Sequence, residues 1–333
     1  MKMMNAIEDS VRESDFIFLK NCFNRFDIIL KLEGMNLADS IKLRTAKALI
    51  NHAEKEKGLK KTKRFIESSS GNLGVALSMM AASRGYEFTC VVDPNTNETN
   101  IAIMKAMGAN VIVVNNSDQS GGYLGTRKKY IKNRLLFDDG LIWLNQYECA
   151  ANPKVHFDET AHQIHCYCPD VDKIYVGTGT TGTAMGLADY FIKAKPSVSI
   201  IAVDSIGSVT FGNPASARYL PGLGASVQPF FFQPKSFERL VQIPENETVA
   251  IARYIAKRYG ILLGASSCTV LAGIYENQKV FNEKLVAISP DLGIKYVDTM
   301  YNDDWCDKKF GTTWRKYNFT DKINSKPEKS ERN

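Results

Sequence analysis

No stretch of this sequence approaches the run of about twenty apolar residues that a membrane-crossing helix requires. The amino-terminal residues mix acids with bases around no apolar core, so the chain reads as cytosolic. Its seven cysteines are odd in number, scattered, and fit no disulfide framework, so reduced thiols are expected. An excess of one charge is missing too. The net charge is only +6, and the basic clusters Lys60 to Arg64 and Arg127 to Lys129 are short and lack interleaved aromatics. They read as solvated faces that attract anionic substrates, not as a nucleic-acid surface. No internal repeat is visible. No glycine-rich loop ends in Gly-Lys-Ser/Thr, which excludes a Walker phosphate loop. What is present is ordinary for a globular enzyme of two lobes: 333 residues, 44% hydrophobic and 23% charged.

From residue 58 onward, short β-like runs alternate with helical stretches. Strands are predicted at Arg64 to Glu67, Phe88 to Val92, Val111 to Val114, Leu141 to Leu144, Lys173 to Val176, Ile200 to Asp204 and Leu285 to Ser289. Helices are predicted at Ile41 to Ala53, Gly74 to Ser83, Asn100 to Met107, Tyr123 to about Leu135, Ala184 to Lys193, Glu247 to Tyr259 and Thr269 to Gln278. Mainly apolar strands of four to six residues joined by helices indicate parallel β/α units covered on both faces. The fold class is therefore α/β, doubly wound, in two lobes. A Gly/Pro-rich connection spans Phe211 to Gln228. The polar, aperiodic stretch Thr320 to Asn333 predicts a disordered tail.

Four short motifs carry the chemistry. In Ser40-Ile41-Lys42-Leu43-Arg44, Ser40 reads as an N-cap, which puts Lys42 in a helix's first turn. The macrodipole there disfavours a cation. The position suits either a solvated surface lysine or an amine whose pKa must fall. Ser68-Ser69-Ser70-Gly71-Asn72 joins a strand to a helix, either as a carboxylate-holding loop or as a serine cap. Gly177-Thr178-Gly179-Thr180-Thr181-Gly182-Thr183 does the same, with N–H groups and hydroxyls suited to a phosphate. Its G-x-G-x-x-G spacing, with Asp204 ending the next strand, also matches a dinucleotide fingerprint. A tight turn without ligand is the plainer alternative. Gly264-Ala265-Ser266-Ser267 opens a further helix, where either serine could be an N-cap. His162, His165, Cys166 and Cys168 invite a zinc reading. Only the first three share a helical face, and no second ligand pair lies at finger spacing, so no metal is expected.

Taken together and in this order, S-x-K-x-R, S-S-G-N, G-T-T-G-T and G-x-S-S resemble the pyridoxal-phosphate enzymes of the cysteine synthase and cystathionine β-synthase family. The resemblance runs from about Asp27 to Trp305. It implies the two-lobed fold type II architecture, with residues 1–40 and 152–319 forming a large cofactor-binding domain and 41–151 a small one. On the resemblance, Lys42 would carry pyridoxal 5'-phosphate and act as the catalytic base. Asn72 would face its phenolic oxygen. Gly179, Thr180, Thr181, Gly182 and Thr183 would cradle its phosphate, and Ser266 would meet its pyridine nitrogen. A serine there implies a largely neutral nitrogen, which favours β-elimination and replacement. Ser69 and Ser70, with Asn72, would bind the substrate carboxylate.

Within that family, Gly121 to Arg127, Trp143 to Tyr147, Asp204 to Val209 and Leu220 to Gly224 are similar to the synthases of N-(2-amino-2-carboxyethyl)-L-glutamate. Those enzymes join O-phosphoserine to glutamate on the way to 2,3-diaminopropionate for siderophores and peptide antibiotics. Arg127 would then take a substrate phosphate or carboxylate, with Gln146 and Tyr147 lining the same cleft; a surface arginine and a core tyrosine are the plainer readings. Three departures stand out. Leu73 replaces a usual threonine. Asn36-Leu37-Ala38-Asp39 replaces Asn-Pro-Gly/Ala-Gly. Thr181 replaces a phosphate-loop glycine. The rival readings are a cysteine synthase using sulfide, a non-catalytic relative and a nicotinamide dehydrogenase. The partners implied are small amino-acid substrates and a second copy in a homodimer.

Overall fold

The computed structural model describes residues 4, 6–11, 15–57, 64–118, 122–280, 282–317 and 319. Gly58, Lys60 to Lys63, Gly121 and the stretch Thr320 to Asn333 lie outside the described residues. In chain order the strands and helices are β1 (Phe16–Cys22), β2 (Phe26–Leu32), α1 (Lys42–Lys57), β3 (Arg64–Ser68), α2 (Asn72–Arg84), β4 (Glu87–Val92), α3 (Glu98–Ala106), β5 (Asn110–Val113), α4 (Gly122–Leu135) and β6 (Leu141–Trp143). There follow α5 (Ala151–Val155), α6 (His162–Tyr167), β7 (Lys173–Gly177), α7 (Gly182–Ala194), β8 (Ser199–Ser205), β9 (Arg239–Ile243), α8 (Glu245–Tyr259), α9 (Ala265–Asn277), β10 (Leu285–Ser289) and α10 (Asp303–Phe310).

Two sheets result. One is six-stranded in the order β1-β2-β10-β7-β8-β9; the other is four-stranded in the order β5-β4-β3-β6. Every pair is parallel except β1 with β2. The fold is α/β with parallel sheets. Parallel strands need helices on both faces, so β10 reads as an unbroken buried run, Leu285-Val286-Ala287-Ile288-Ser289. Apolar clusters lie on the faces of the six-stranded sheet, around Leu30, Ile255 and Leu271 and around Ile174, Leu187 and Phe191. Leu43, Leu77 and Phe88 centre the main one against the four-stranded sheet.

The hairpin β1–β2 and the strand β9 are features that the sequence pattern did not disclose. The hairpin turns through Phe23 and Asn24 at φ 56° and 52°, with no glycine to announce it. Phe23 is held in that costly conformation because its ring is buried against Tyr254 and Tyr275, with centroids 5.1 Å away in each case. A π-helical segment, His156–Ala161, joins α5 to α6, so an extra residue per turn is accommodated within what is nearly one helix.

Candidate active site

Each of the four motifs lands where a parallel strand or a connecting loop delivers the chain to a helix N-terminus: Lys42 opens α1, Asn72 opens α2, Gly182 opens α7 and Ala265 opens α9. In open parallel sheets the carboxyl ends of the strands are where ligands bind, and helix N-termini there favour anions.

Ser40 caps α1 as its sequence suggests, its hydroxyl oxygen accepting from the Lys42 N–H at 3.2 Å. The loop before it is fixed by Asn36, whose amide donates to the carbonyls of Glu33 (2.8 Å) and Ser40 (3.0 Å). Asp39 takes φ 52°, the left-handed conformation that glycine would otherwise supply. Lys42 is half-buried, and among the described residues no acid or hydrogen-bond acceptor pairs with its amine. Burial alone pushes the amine down to about 8. Below it, Arg44 is almost fully buried and donates to Glu33 (2.7 Å), Glu159 (2.7 Å) and Gln163 (2.9 Å).

The glycine-threonine loop after β7 is shaped for a small ligand. Gly182 packs on Asn152 so closely that a Cβ would lie 2.3 Å from its Oδ1, whereas a Cβ on Gly179 would meet only the Gly222 carbonyl, at 3.6 Å. Thr181 sits at φ 66° with its hydroxyl turned back onto the Thr180 carbonyl at 2.7 Å, so its side chain does not crowd the loop. Thr183 Oγ1 lies 3.3 Å from His156 Nε2, and Thr45 Oγ1 of α1 lies 3.2 Å from the same nitrogen. Burial, with Lys42 and Arg44 adding to it, drives His156 well below the ordinary histidine range, so the ring is neutral. His156, Asn152 and Asp291 were not singled out in the sequence; lone polar residues outside a motif give no signal until the fold gathers them.

Ser69 is partly the cap that its position allowed, since its hydroxyl oxygen accepts from Gly74 N–H at 3.0 Å. Ser70 is half-buried beside it. Asn72 Nδ2 donates to Asp291 Oδ2 at 2.8 Å, and Ser266 Oγ lies 3.4 Å from Asp291 Oδ1, so one buried carboxylate joins the second motif to the fourth. Leu73 is buried in the core against the four-stranded sheet and offers the cleft no hydroxyl.

Beyond Ser68 the same strand ends gather a second polar cluster. Gln146 Nε2 and Tyr147 OH both donate to the Ser68 carbonyl, each at 2.9 Å, so these donors brace the serine loop. Glu67 accepts from the N–H groups of Ser68, Gln146 and Trp143, yet burial still raises it to about 7. Arg127 is 7% exposed, its Nε lies 3.6 Å from Asp93 Oδ2, and its Nε and Nη1 have no hydrogen-bond partner among the described residues.

Two other stretches that the sequence singled out are His162 to Cys168 and Asp204. His162 and His165 turn toward the Tyr190 hydroxyl at 3.4 and 3.0 Å, while Cys168 is buried beyond the end of α6. No three His, Cys, Asp or Glu side chains among the described residues are placed to hold a metal ion. Asp204 is fully buried and its Oδ1 accepts from its neighbour Ser205 N–H at 2.7 Å. No helix of the described residues is long and apolar enough to cross a membrane.

A cleft of this construction, with an unpaired low-pKa amine, hydroxyls and N–H groups at a helix start, and an asparagine and a serine in reach of one another, fits a phosphorylated aldehyde cofactor. The chain belongs to the pyridoxal-phosphate dependent enzymes, whose family profile matches residues 7–291. It is a pyridoxal-phosphate dependent enzyme, and its structural neighbours lie in the cysteine synthase branch. O-ureido-L-serine synthase is 26% identical at a TM-score of 0.82, over 91% of this chain and 98% of that one. O-Acetyl Serine Sulfhydrylase isoform 3 from Entamoeba histolytica is 28% identical at 0.82, over 90% and 92%. A hydrogen sulfide-producing enzyme from Fusobacterium nucleatum is 26% identical at 0.81, over 89% and 99%. This membership overturns the nicotinamide reading of the Gly177-x-Gly179-x-x-Gly182 loop.

Proposed function

We propose that this enzyme is a β-replacement synthase that condenses O-phospho-L-serine with L-glutamate to N-(2-amino-2-carboxyethyl)-L-glutamate, a precursor of 2,3-diaminopropionate. The observation that carries the reading is Arg127, a buried guanidinium whose Nε and Nη1 have no hydrogen-bond partner among the described residues and whose ion pair with Asp93 is long, at 3.6 Å. Such groups cost about 1–3 kcal/mol each when nothing meets them. A planar donor fork is suited to a phosphate or carboxylate, and neither sulfide nor an acetyl ester needs one.

When bound, the cofactor would supply a sink for the electrons of the bond broken at the substrate's α-carbon. Lys42 would hold it covalently and, once released, remove the α-proton and later return it. Gly179, Thr180, Thr181, Gly182 and Thr183 would hold its phosphate, Asn72 its phenolic oxygen and Ser266 its ring nitrogen. Ser69, Ser70 and the Asn72 amide would receive the substrate carboxylate, on a loop braced by Gln146 and Tyr147. Arg127 would receive the departing phosphate or the incoming glutamate.

A cysteine synthase is the second reading, favoured by the sulfhydrylase among the neighbours. Residues 1–40 with 152–319 and residues 41–151 would form the two domains, and two copies a homodimer, which light scattering of the purified protein tests. The seven free thiols agree with a reducing, cytoplasmic setting. The deciding measurement is mass spectrometry of products after the enzyme meets O-phosphoserine with glutamate and sulfide in competition. A carboxyethyl-glutamate adduct is expected; cysteine alone would replace this reading with the second.

A further inference from the structure

Between Asn72 and Ser266 lies a carboxylate that the proposed chemistry does not use. Asp291 follows β10 and is 1% exposed. Its Oδ2 accepts from Asn72 Nδ2 (2.8 Å) and from Tyr296 OH (2.7 Å), and its Oδ1 faces Ser266 Oγ at 3.4 Å. Space has been cleared for it: a Cβ on Gly264 would fall 1.9 Å from Oδ1. Lys295 Nζ donates to Asn72 Oδ1 at 3.2 Å and pairs with Asp39 at 3.5 Å. Asn72 is thereby held at both ends of its amide, with one N–H left over.

We propose that Asp291 is a positioning residue that sets the direction of the Ser266 hydroxyl, and through it whether the cofactor's ring nitrogen is met by a hydrogen or by a lone pair. The inference rests on the reading of Ser266 as the ring-nitrogen partner. An ionised Asp291 has only lone pairs, so it takes the Ser266 hydrogen. Ser266 then offers the ring nitrogen a lone pair, and a protonated, electron-withdrawing nitrogen is the form that fits. A protonated Asp291 can donate to Ser266 instead, which turns the serine hydrogen outward onto a neutral nitrogen. Serine at this place therefore does not by itself dictate a neutral ring; the carboxylate behind it decides.

The surroundings put this choice in reach of pH. Burial raises Asp291 above the usual carboxylate range, with Asp39 adding to that, while Tyr296, Asn72 and Lys295 pull it back. Cys268 of α9, a further titratable neighbour, is itself pushed far up by burial and stays a neutral thiol.

The experiment follows the absorption spectrum of the bound cofactor against pH in the holoenzyme, with cofactor affinity measured alongside and cofactor-free melting as a folding control. In Asp291→Asn the amide oxygen must face Asn72 and Tyr296, both donors, so its NH2 faces Ser266 and holds the serine hydrogen outward. That variant is expected to lose the spectral transition and keep the low-pH, neutral-nitrogen form throughout, with melting unchanged. Tyr296→Phe removes one donor from the carboxylate and is expected to move the transition up by about one pH unit. Ser266→Ala and Asn72→Ala report on the underlying reading. If Ser266→Ala alters the spectrum while Asp291→Asn and Tyr296→Phe titrate like the parent, the inference about Asp291 is overturned and the site reading stands. If Ser266→Ala also matches the parent in spectrum and affinity, the site reading fails and takes the inference with it.

Discussion

An amine with no carboxylate beside it loses its proton more readily the more protein surrounds it. That is the state of Lys42, at about 8 instead of 10.5. At pH 7.5 about a quarter of such amines are neutral, against about one in a thousand for an ordinary lysine. Only the neutral form can attack a carbonyl. Lys42→Ala is accordingly expected to abolish product formation and leave weak, non-covalent cofactor binding; near-normal turnover by that variant would defeat the mechanism. Stability carries the same signature with a definite sign. Between pH 8 and 10.5 the unfolded chain keeps the proton that the folded one has released, so the cofactor-free protein should gain stability as pH rises through that window. Lys42→Met should lack the gain, about 1–2 kcal/mol once solvent contact is allowed for, in urea titrations at the two ends of the window. Arg127 makes a separate prediction. Arg127→Gln keeps a polar side chain but loses the charge and the fork, and should cut kcat/KM for O-phosphoserine roughly 100-fold while leaving O-acetylserine nearly untouched. Equal losses on both donors would rule out the phosphate contact and leave Arg127 either the incoming glutamate or a purely structural role, which the KM for glutamate separates.

At the level of elements, α1 is the part that must not move, since it carries the amine. Its anchor is Arg44, which binds acids on two sides: Glu33 after β2 and Glu159 in the π-helical segment. Lys31 shares Glu33 at 3.3 Å, and the two cations hold the Glu33 carboxyl below its usual range against the cost of burial. Arg44→Met would strand that carboxylate with one partner. We expect about 3–5 kcal/mol of lost stability in denaturant unfolding, the range for breaking a buried pair. The parallel core was legible in the sequence because β/α units advertise themselves: β10 falls on the predicted residues, and α2, α7 and α9 differ only at their ends. What stayed hidden has physical reasons. Phe23 occupies a turn position where glycine is expected, so the hairpin carried no turn signal. The extra residue of His156–Ala161 does not disturb apolar spacing enough to show. The motif glycines and serines of the site could be read as a set because each sits at a strand-to-helix junction. Asp291 and His156 could not, since only the folded chain brings them to Ser266 and Thr183.

For the whole molecule, the consequence of the arrangement is that the proposed cofactor contacts come from both sheets. Asn72 follows β3 of the four-stranded sheet, the glycine-threonine loop follows β7 of the six-stranded one, and Asn152 bridges Gln146 to Thr180 at 2.8 and 3.3 Å. A ligand that binds only when both sets are in place stabilises the folded chain by mass action, by about 2.7 kcal/mol at a hundredfold excess over its dissociation constant. A chain of this length has an unfolding entropy near 0.7 kcal/mol per degree, so removing the cofactor should lower the melting temperature by about 4 °C or more, and adding it back should restore the loss. Gly182→Ala sharpens the test. Its methyl collides with the buried Asn152 amide at the link between the two sheets, so the variant should show both a lower cofactor-free melting temperature and a smaller rise on adding cofactor. A variant that melts lower but gains the full rise would separate the loop's packing from its grip on the phosphate, and would move the phosphate site away from the start of α7.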